Sequence, residues 1–131
     1  VIADEPGVRG QRRSLSGWGR TCPSVADVVP TGRADETIRD SPCVIARGLG
    51  RSYGDAAQLA GGTVLDTTSL PRVFELDESS ASLRVDAGMS LEDILRRIIP
   101  LGFFVPVTPG TSRITIGGAI ASDVHGKNHH K

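Results

Sequence analysis

Two glycine-rich stretches carry residue types that can hold a phosphate: Ala46-Arg-Gly-Leu-Gly-Arg-Ser-Tyr-Gly-Asp55 and Pro109-Gly-Thr-Ser-Arg-Ile-Thr-Ile-Gly-Gly118. Each follows a short apolar run that reads as a strand, Val44-Ile45 and Phe103-Phe104-Val105. Main-chain N–H groups therefore leave a rigid element with no side chains in a ligand's way. Two such loops at this spacing point to a dinucleotide. In the first, Gly48, Gly50 and Gly54 give G-x-G-x-x-x-G rather than the G-x-G-x-x-G of a Rossmann turn, and Gly61-Gly62 ends the segment 55–60 before two helical turns are complete. No G-K-[ST] is present, which excludes a P-loop. The remaining possibility is a nest of successive N–H groups, supplemented by the Ser52 hydroxyl and the guanidinium of Arg47 or Arg51. Taken alone, this loop reads equally well as a glycine-rich turn between strands.

In the second stretch, Pro109-Gly110-Thr111 forms a tight turn that can present N–H groups. Gly117-Gly118 then opens the small-residue segment Ala119-Ile-Ala-Ser122, the start of a helix whose N-terminus favours an anion. Behind it, His125, Lys127, Asn128, His129 and His130 add donors and a positive charge. A cation at the pyrimidine edge of a flavin stabilises the anionic reduced ring. His125 and His129 stand four apart, as two metal ligands on a helix would, but Gly126 interrupts a helix there and no cysteine or carboxylate completes a shell, so no metal is expected. Residues 129–131 read alternatively as a frayed, solvated end.

The elements that must position these residues are short. At 131 residues the chain is expected to form one domain with a small core. Residues 1–16, rich in Arg, Ser and Gly, read as a mobile arm, followed by a turn-rich entry over 17–24 in which Trp18 either anchors the arm or packs in the core. Strands are expected over 25–29, ended by Pro30, and over 43–46, with one helical turn over 35–39. After the turn at Gly61-Gly62, strands over 63–66, 73–76 and 82–86 make a meander, with a turn over 77–80. The clearest helix is 91–99: Ser90 is its N-cap with Asp93 three residues on, Leu91, Ile94, Leu95, Ile98 and Ile99 share one face, and Pro100 with Gly102 ends it. A strand over 103–107 would complete a βαβ unit with this helix, so the class is α+β, or α/β with mixed strands.

Composition excludes several classes. Fifteen basic residues balance fifteen acidic ones and aromatic residues make up 4% of the chain, which leaves neither a field nor a stacking platform for nucleic acid. The longest nearly apolar run, 98–107, is about half a membrane span and contains two prolines and a glycine. It reads as core, so no transmembrane segment is expected. The chain opens on Val1 without a charged-then-apolar leader, which leaves export undecided. Cys22 and Cys43 define neither a metal motif nor a disulfide framework and read as free thiols.

Together, the first loop, Pro109-Gly-Thr111, Thr115-Ile-Gly-Gly-Ala-Ile120 and His125-Gly-Lys-Asn-His-His130 resemble the N-terminal FAD-binding (PCMH-type) half of the vanillyl-alcohol-oxidase flavoproteins. Within that superfamily the pattern, with the entry Gly17-Trp-Gly-Arg-Thr-Cys-Pro-Ser-Val25, resembles the decaprenylphosphoryl-β-D-ribose 2′-oxidase family over about residues 15–131. The resemblance implies a partial PCMH-type FAD-binding domain over 17–131, with mixed small sheets and a βαβ unit. It implies that FAD accepts a hydride from a sugar hydroxyl of a polyprenyl-phosphoryl substrate in arabinan precursor synthesis for the cell wall. An NADH-dependent reductase partner and a cell-envelope or periplasmic location are implied by the same likeness.

Residue by residue, the resemblance assigns Ala46, Arg47, Gly48, Leu49, Gly50, Arg51, Ser52, Tyr53, Gly54, Asp55 and Ala56 to the FAD pyrophosphate and part of the isoalloxazine. Gly110, Thr115, Ile116, Gly117, Gly118, His125, Gly126, Lys127 and Asn128 join them. Lys127 and His125 are also expected to face substrate. Covalent members often carry a flavin-linking histidine where Tyr53 stands, so FAD is expected to be dissociable. Aldonolactone and alditol oxidases share G-x-G-x-S but not the His125–His130 run, and form the alternative, beside a non-catalytic FAD module or a truncated relic. Two departures stand out: residues 31–42 are shorter than the family's segment, and the family continues past Lys131 into a substrate domain. The chain alone is therefore expected to bind FAD weakly and to have no turnover.

Overall fold

The computed structural model describes residues 10–20, 22–69 and 73–126. By its contacts the chain divides into two compact units, residues 1–69 and 70–131.

The first unit is built on a four-stranded sheet. Strands β1 (Gln11–Leu15), β2 (Ser24–Pro30), β3 (Val44–Arg47) and β4 (Thr63–Asp66) lie in the order β1-β2-β4-β3. β1 runs antiparallel to β2, from Gln11 opposite Val28 to Leu15 opposite Ser24, whereas β4 runs parallel to both β2 and β3. Register puts Val28, Val64 and Ile45 side by side, and alternation brings Ala26 onto the same face. Ala26, Val28 and Val64 are buried there, with Leu15, Ile45 and Leu59 packed against them. Helix α1 (Ala34–Asp40) joins β2 to the parallel β3, so the βαβ unit lies here.

In the second unit, β5 (Phe74–Asp77) and β6 (Ser82–Val85) form an antiparallel hairpin. Helix α2 (Leu91–Ile98) buries Leu91, Ile94 and Ile98, spaced at i, i+3 and i+7. Met89, Ile94 and Ile98 form the core, with Phe74, Leu83, Val85, Leu95, Phe103, Val105 and Ile116 around them. Ser90 caps α2 as its spacing requires, its hydroxyl accepting from Asp93 N at 3.0 Å. The helix tightens into a 3-10 turn over Ile99–Leu101 and stops at Gly102, whose φ of 84° is left-handed. Helix α3 (Ile116–Ala121) lies further along the chain. No helix among the described residues is long and apolar enough to cross a membrane.

Three expectations are corrected. Within the segment expected to be a mobile arm, Gln11–Leu15 is an edge strand, while residues 1–9 lie outside the described residues. Four of its five side chains stay exposed, so main-chain pairing rather than apolar periodicity holds it, and periodicity could not reveal it. The meander does not form, because β4 takes its partners from β2 and β3 while β5 and β6 pair with each other. Residues 103–107 are not a strand. Phe103 N bonds back to Ile98 O at 3.1 Å to close the helix, and Pro106 has no N–H for a ladder.

Candidate functional site

The first glycine loop leaves the end of β3 and is shaped by Arg47. Its guanidinium donates to Ala57 O and to Ser16 O, each at 2.7 Å, while its own carbonyl accepts from Thr67 Oγ1 at 3.1 Å. Burial lowers the Arg47 pKa and the charge of Asp66 opposes that shift, so the group stays a cation tied to main chain. Arg47 thus braces the loop by supplying donors to two main-chain carbonyls. Arg51 is exposed and stacks over the Trp18 ring at 4.9 Å. Trp18 itself is 55% exposed, so it is not a core residue but one face of that stack.

Within the loop, Gly50 and Gly54 have φ of 68° and 59°, and a Cβ on Gly50 would overlap the Arg47 guanidinium. The carbonyls of Ser52, Asp55 and Ala57 accept from Trp18 N, Gln58 N and Arg47 respectively. Among the described residues, no main-chain N–H over 48–56 donates a hydrogen bond to protein. The loop thus has these carbonyls satisfied and its donors unspent, which is the polarity an anion requires. Tyr53, 83% exposed, stands in the middle of it.

The second stretch behaves differently. Its carbonyls close the start of α2: Leu91 N and Glu92 N donate to Ile114 O and Ser112 O at 2.9 Å each. At the start of α3, Ile116 N bonds Met89 O at 3.0 Å, Gly117 N bonds Ala87 O at 2.8 Å, and Gly118 N bonds the Thr115 hydroxyl at 3.2 Å. Ala119 N completes the turn on Thr115 O at 2.8 Å. The expected anion site at this helix N-terminus is therefore corrected, since its donors already have acceptors. Glycine at 117 serves packing, as a Cβ there would come within 3.0 Å of the Ala87 methyl. Gly110 by contrast is open, with no atom within 4 Å of such a Cβ.

His125 is exposed, with Nδ1 3.1 Å from Asp123 O. With Val107, Asp123 and Val124 it lines an open depression of about 500 Å³. Gly126 comes next, while Lys127, Asn128, His129 and His130 lie outside the described residues. One residue beside the first loop escapes sequence reasoning altogether. Gln58 accepts from Gly17 N at 2.7 Å and donates to Cys22 O and Ser24 Oγ at 3.0 and 3.2 Å. No local signal marks a glutamine whose partners lie 34 to 41 residues away.

Residues 36–131 match the family described as an FAD binding domain. Decaprenylphosphoryl-beta-D-ribose oxidase of Mycolicibacterium smegmatis is 47% identical over 126 residues, covering 90% of this chain and 27% of that protein. The glycolate oxidase subunit of Bacillus subtilis is 32% identical over 79 residues, covering 59% of this chain and 17% of the subunit. The chain thus spans about a quarter or less of the length of these relatives. Among solved structures, a cholesterol oxidase from Brevibacterium sterolicum superposes with a TM-score of 0.72 at 17% identity, over 88% of this chain and 24% of that one. That likeness establishes a shared fold.

Proposed function

The chain belongs to the FAD-binding domain family, and from this premise we propose that it is the FAD-binding portion of an oxidoreductase that oxidises a sugar hydroxyl. The observation that carries the reading is the first loop: among the described residues its main-chain N–H groups over 48–56 find no protein acceptor, while the carbonyls of Ser52 and Asp55 are held. It fits a pyrophosphate, which needs several donors and close main-chain approach. FAD, when bound, supplies the hydride acceptor. The chain's own residues bind and orient it: the loop through main-chain donors, and Arg51 as the exposed cation beside them. Gly110, Thr115, Ile116, Gly117, Gly118 and Gly126 are proposed to line the cofactor by close contact rather than by an anion site at α3. His125 and Lys127 are proposed to face substrate, with Asn128 beside them.

The 47% identity to an oxidase of decaprenylphosphoryl-ribose supports a polyprenyl-phosphoryl sugar as substrate. An NADH-dependent reductase that consumes the keto product, and a place at the cell envelope, extend the same reading. Tyr53 offers a phenol where a covalent link would need an imidazole nitrogen, so we propose dissociable FAD. Titrating FAD into the protein while following flavin fluorescence should give saturable binding, and acid precipitation should leave the flavin in solution; flavin that stays with the pellet would disprove dissociability. Anaerobic addition of a polyprenyl-phosphoryl ribose should bleach the flavin of the whole oxidoreductase. Bleaching by aldonolactones or alditols instead would favour that alternative, and bleaching by none would favour a binding module. For residues 1–131 alone, weak binding and no bleaching are expected.

A further inference from the structure

We propose that the segment 16–18 is a positioning clamp for the flavin loop, fixing the direction of its donors; the proposal rests on the FAD reading. Five contacts join this segment to residues 47–58. Ser16 O accepts from Arg47 Nη2 at 2.7 Å, Gly17 N donates to Gln58 Oε1 at 2.7 Å, and Trp18 N donates to Ser52 O at 3.0 Å. The Trp18 ring carries the Arg51 guanidinium at 4.9 Å. Gly17 also lies so close to Gly54 O that a Cβ there would overlap it.

Peptide planarity turns these contacts into a statement about donors. All described peptide bonds are trans, and in a trans unit the N–H points opposite to the carbonyl. With Ser52 O held toward Trp18 N, the Tyr53 N–H faces away from the clamp. With Gly54 O against Gly17, the Asp55 N–H does so too. Both belong to the set with no protein acceptor among the described residues. Two donors, two residues apart, are thus directed to one side without any help from a ligand, which is preorganisation. Glycine is required at 17 by this approach of the two chains, and not by its φ, which is not left-handed.

The test compares the unsubstituted chain with Gly17→Ala, Trp18→Ala and Trp18→Phe, measuring FAD dissociation constants by flavin fluorescence and thermal unfolding without FAD. Gly17→Ala should weaken FAD binding by about tenfold, because the loop must move to admit the methyl group. Trp18→Ala should weaken it by about threefold, the scale of an exposed cation–π contact, and Trp18→Phe should recover most of that. Unfolding without FAD should shift little in the Trp18 variants, which keep every main-chain bond. Should Gly17→Ala not fold, the Trp18 pair decides. Unchanged FAD affinity in the variants that fold overturns the clamp while leaving the FAD reading intact. Affinity and FAD-free stability falling in parallel in those variants would make the segment mere fold support and also overturn it. No binding by the unsubstituted chain removes the FAD reading and the clamp together.

Discussion

Arg47 shows a structural task that its neighbours in sequence do not reveal. Set beside glycines, it resembles a phosphate ligand, and two of its N–H donors hold the carbonyls of Ser16 and Ala57. Arg47→Met keeps the stem and removes both charge-assisted bonds, so it should destabilise the first unit by about 1.5–3 kcal/mol in urea denaturation. Loss of FAD affinity with unchanged stability would make it a phosphate ligand first and a brace second. Asp77 is a second residue whose role is local: its carboxylate accepts from the Ser79 and Ser80 hydroxyls, each at 2.6 Å, and from their main-chain N–H groups at 3.0 and 3.4 Å. The Ser79 and Ser80 bonds favour the charged form and pull its pKa down to about 2. The bonds therefore support the turn fully above the ordinary carboxylate range, and that support is lost as pH falls through about 2. An NMR titration should place the Asp77 midpoint there, and Ser79→Ala should move it upward; a midpoint at the ordinary value would disprove the bonds.

Helix α2 and its flanks show what an element-level signal can carry. The cap at Ser90 and the apolar stripe are both visible in sequence because each depends on neighbours within four residues. Ser90→Ala should cost about 1 kcal/mol, whereas Ile94→Ala, at 1% exposure in the core, should cost about 2–5 kcal/mol. Equal losses in thermal unfolding would mean that the cap does more than satisfy Asp93 N. Helix α3 makes the opposite point. Its glycines read from sequence as an anion site, yet Gly117 packs on Ala87 and its N–H is spent on the Ala87 carbonyl, which leaves close contact as their route to a ligand. A glycine pair opening a helix marks close approach; which partner approaches is not written beside it.

At the scale of the whole molecule, residues 36–131 match an FAD binding domain. The two units hold separate small cores, one on Val64 and one on Ile94, so neither has much stability to spare. A ligand that binds only the folded chain adds to that margin by mass action. At FAD concentrations about one hundredfold above its dissociation constant, stability should rise by about 2.7 kcal/mol, read as an increase in the unfolding midpoint. Addition of riboflavin, which lacks the pyrophosphate, should give a smaller shift if the first loop is the main contact. An equal shift would place the binding energy on the ring instead.

Features that depend on near neighbours are legible in the amino-acid order: the strand at 63–66, the α2 helix with its cap, the turn at Asp77, and the glycine loop whose pattern carries the family likeness. Where distant main-chain groups find partners emerges from the folded chain alone. Folding placed β4 between parallel neighbours, recruited Gln11–Leu15 as an edge strand, and satisfied the first N–H groups of α2 with the carbonyls of Ser112 and Ile114. It also gave Gln58 to Gly17 and Arg47 to Ser16. The reason is physical: every buried N–H and carbonyl must be paired, but any acceptor of suitable geometry will serve. Periodicity therefore reveals which residues are buried, while the choice among equivalent backbone partners is made only when the chain has closed upon itself.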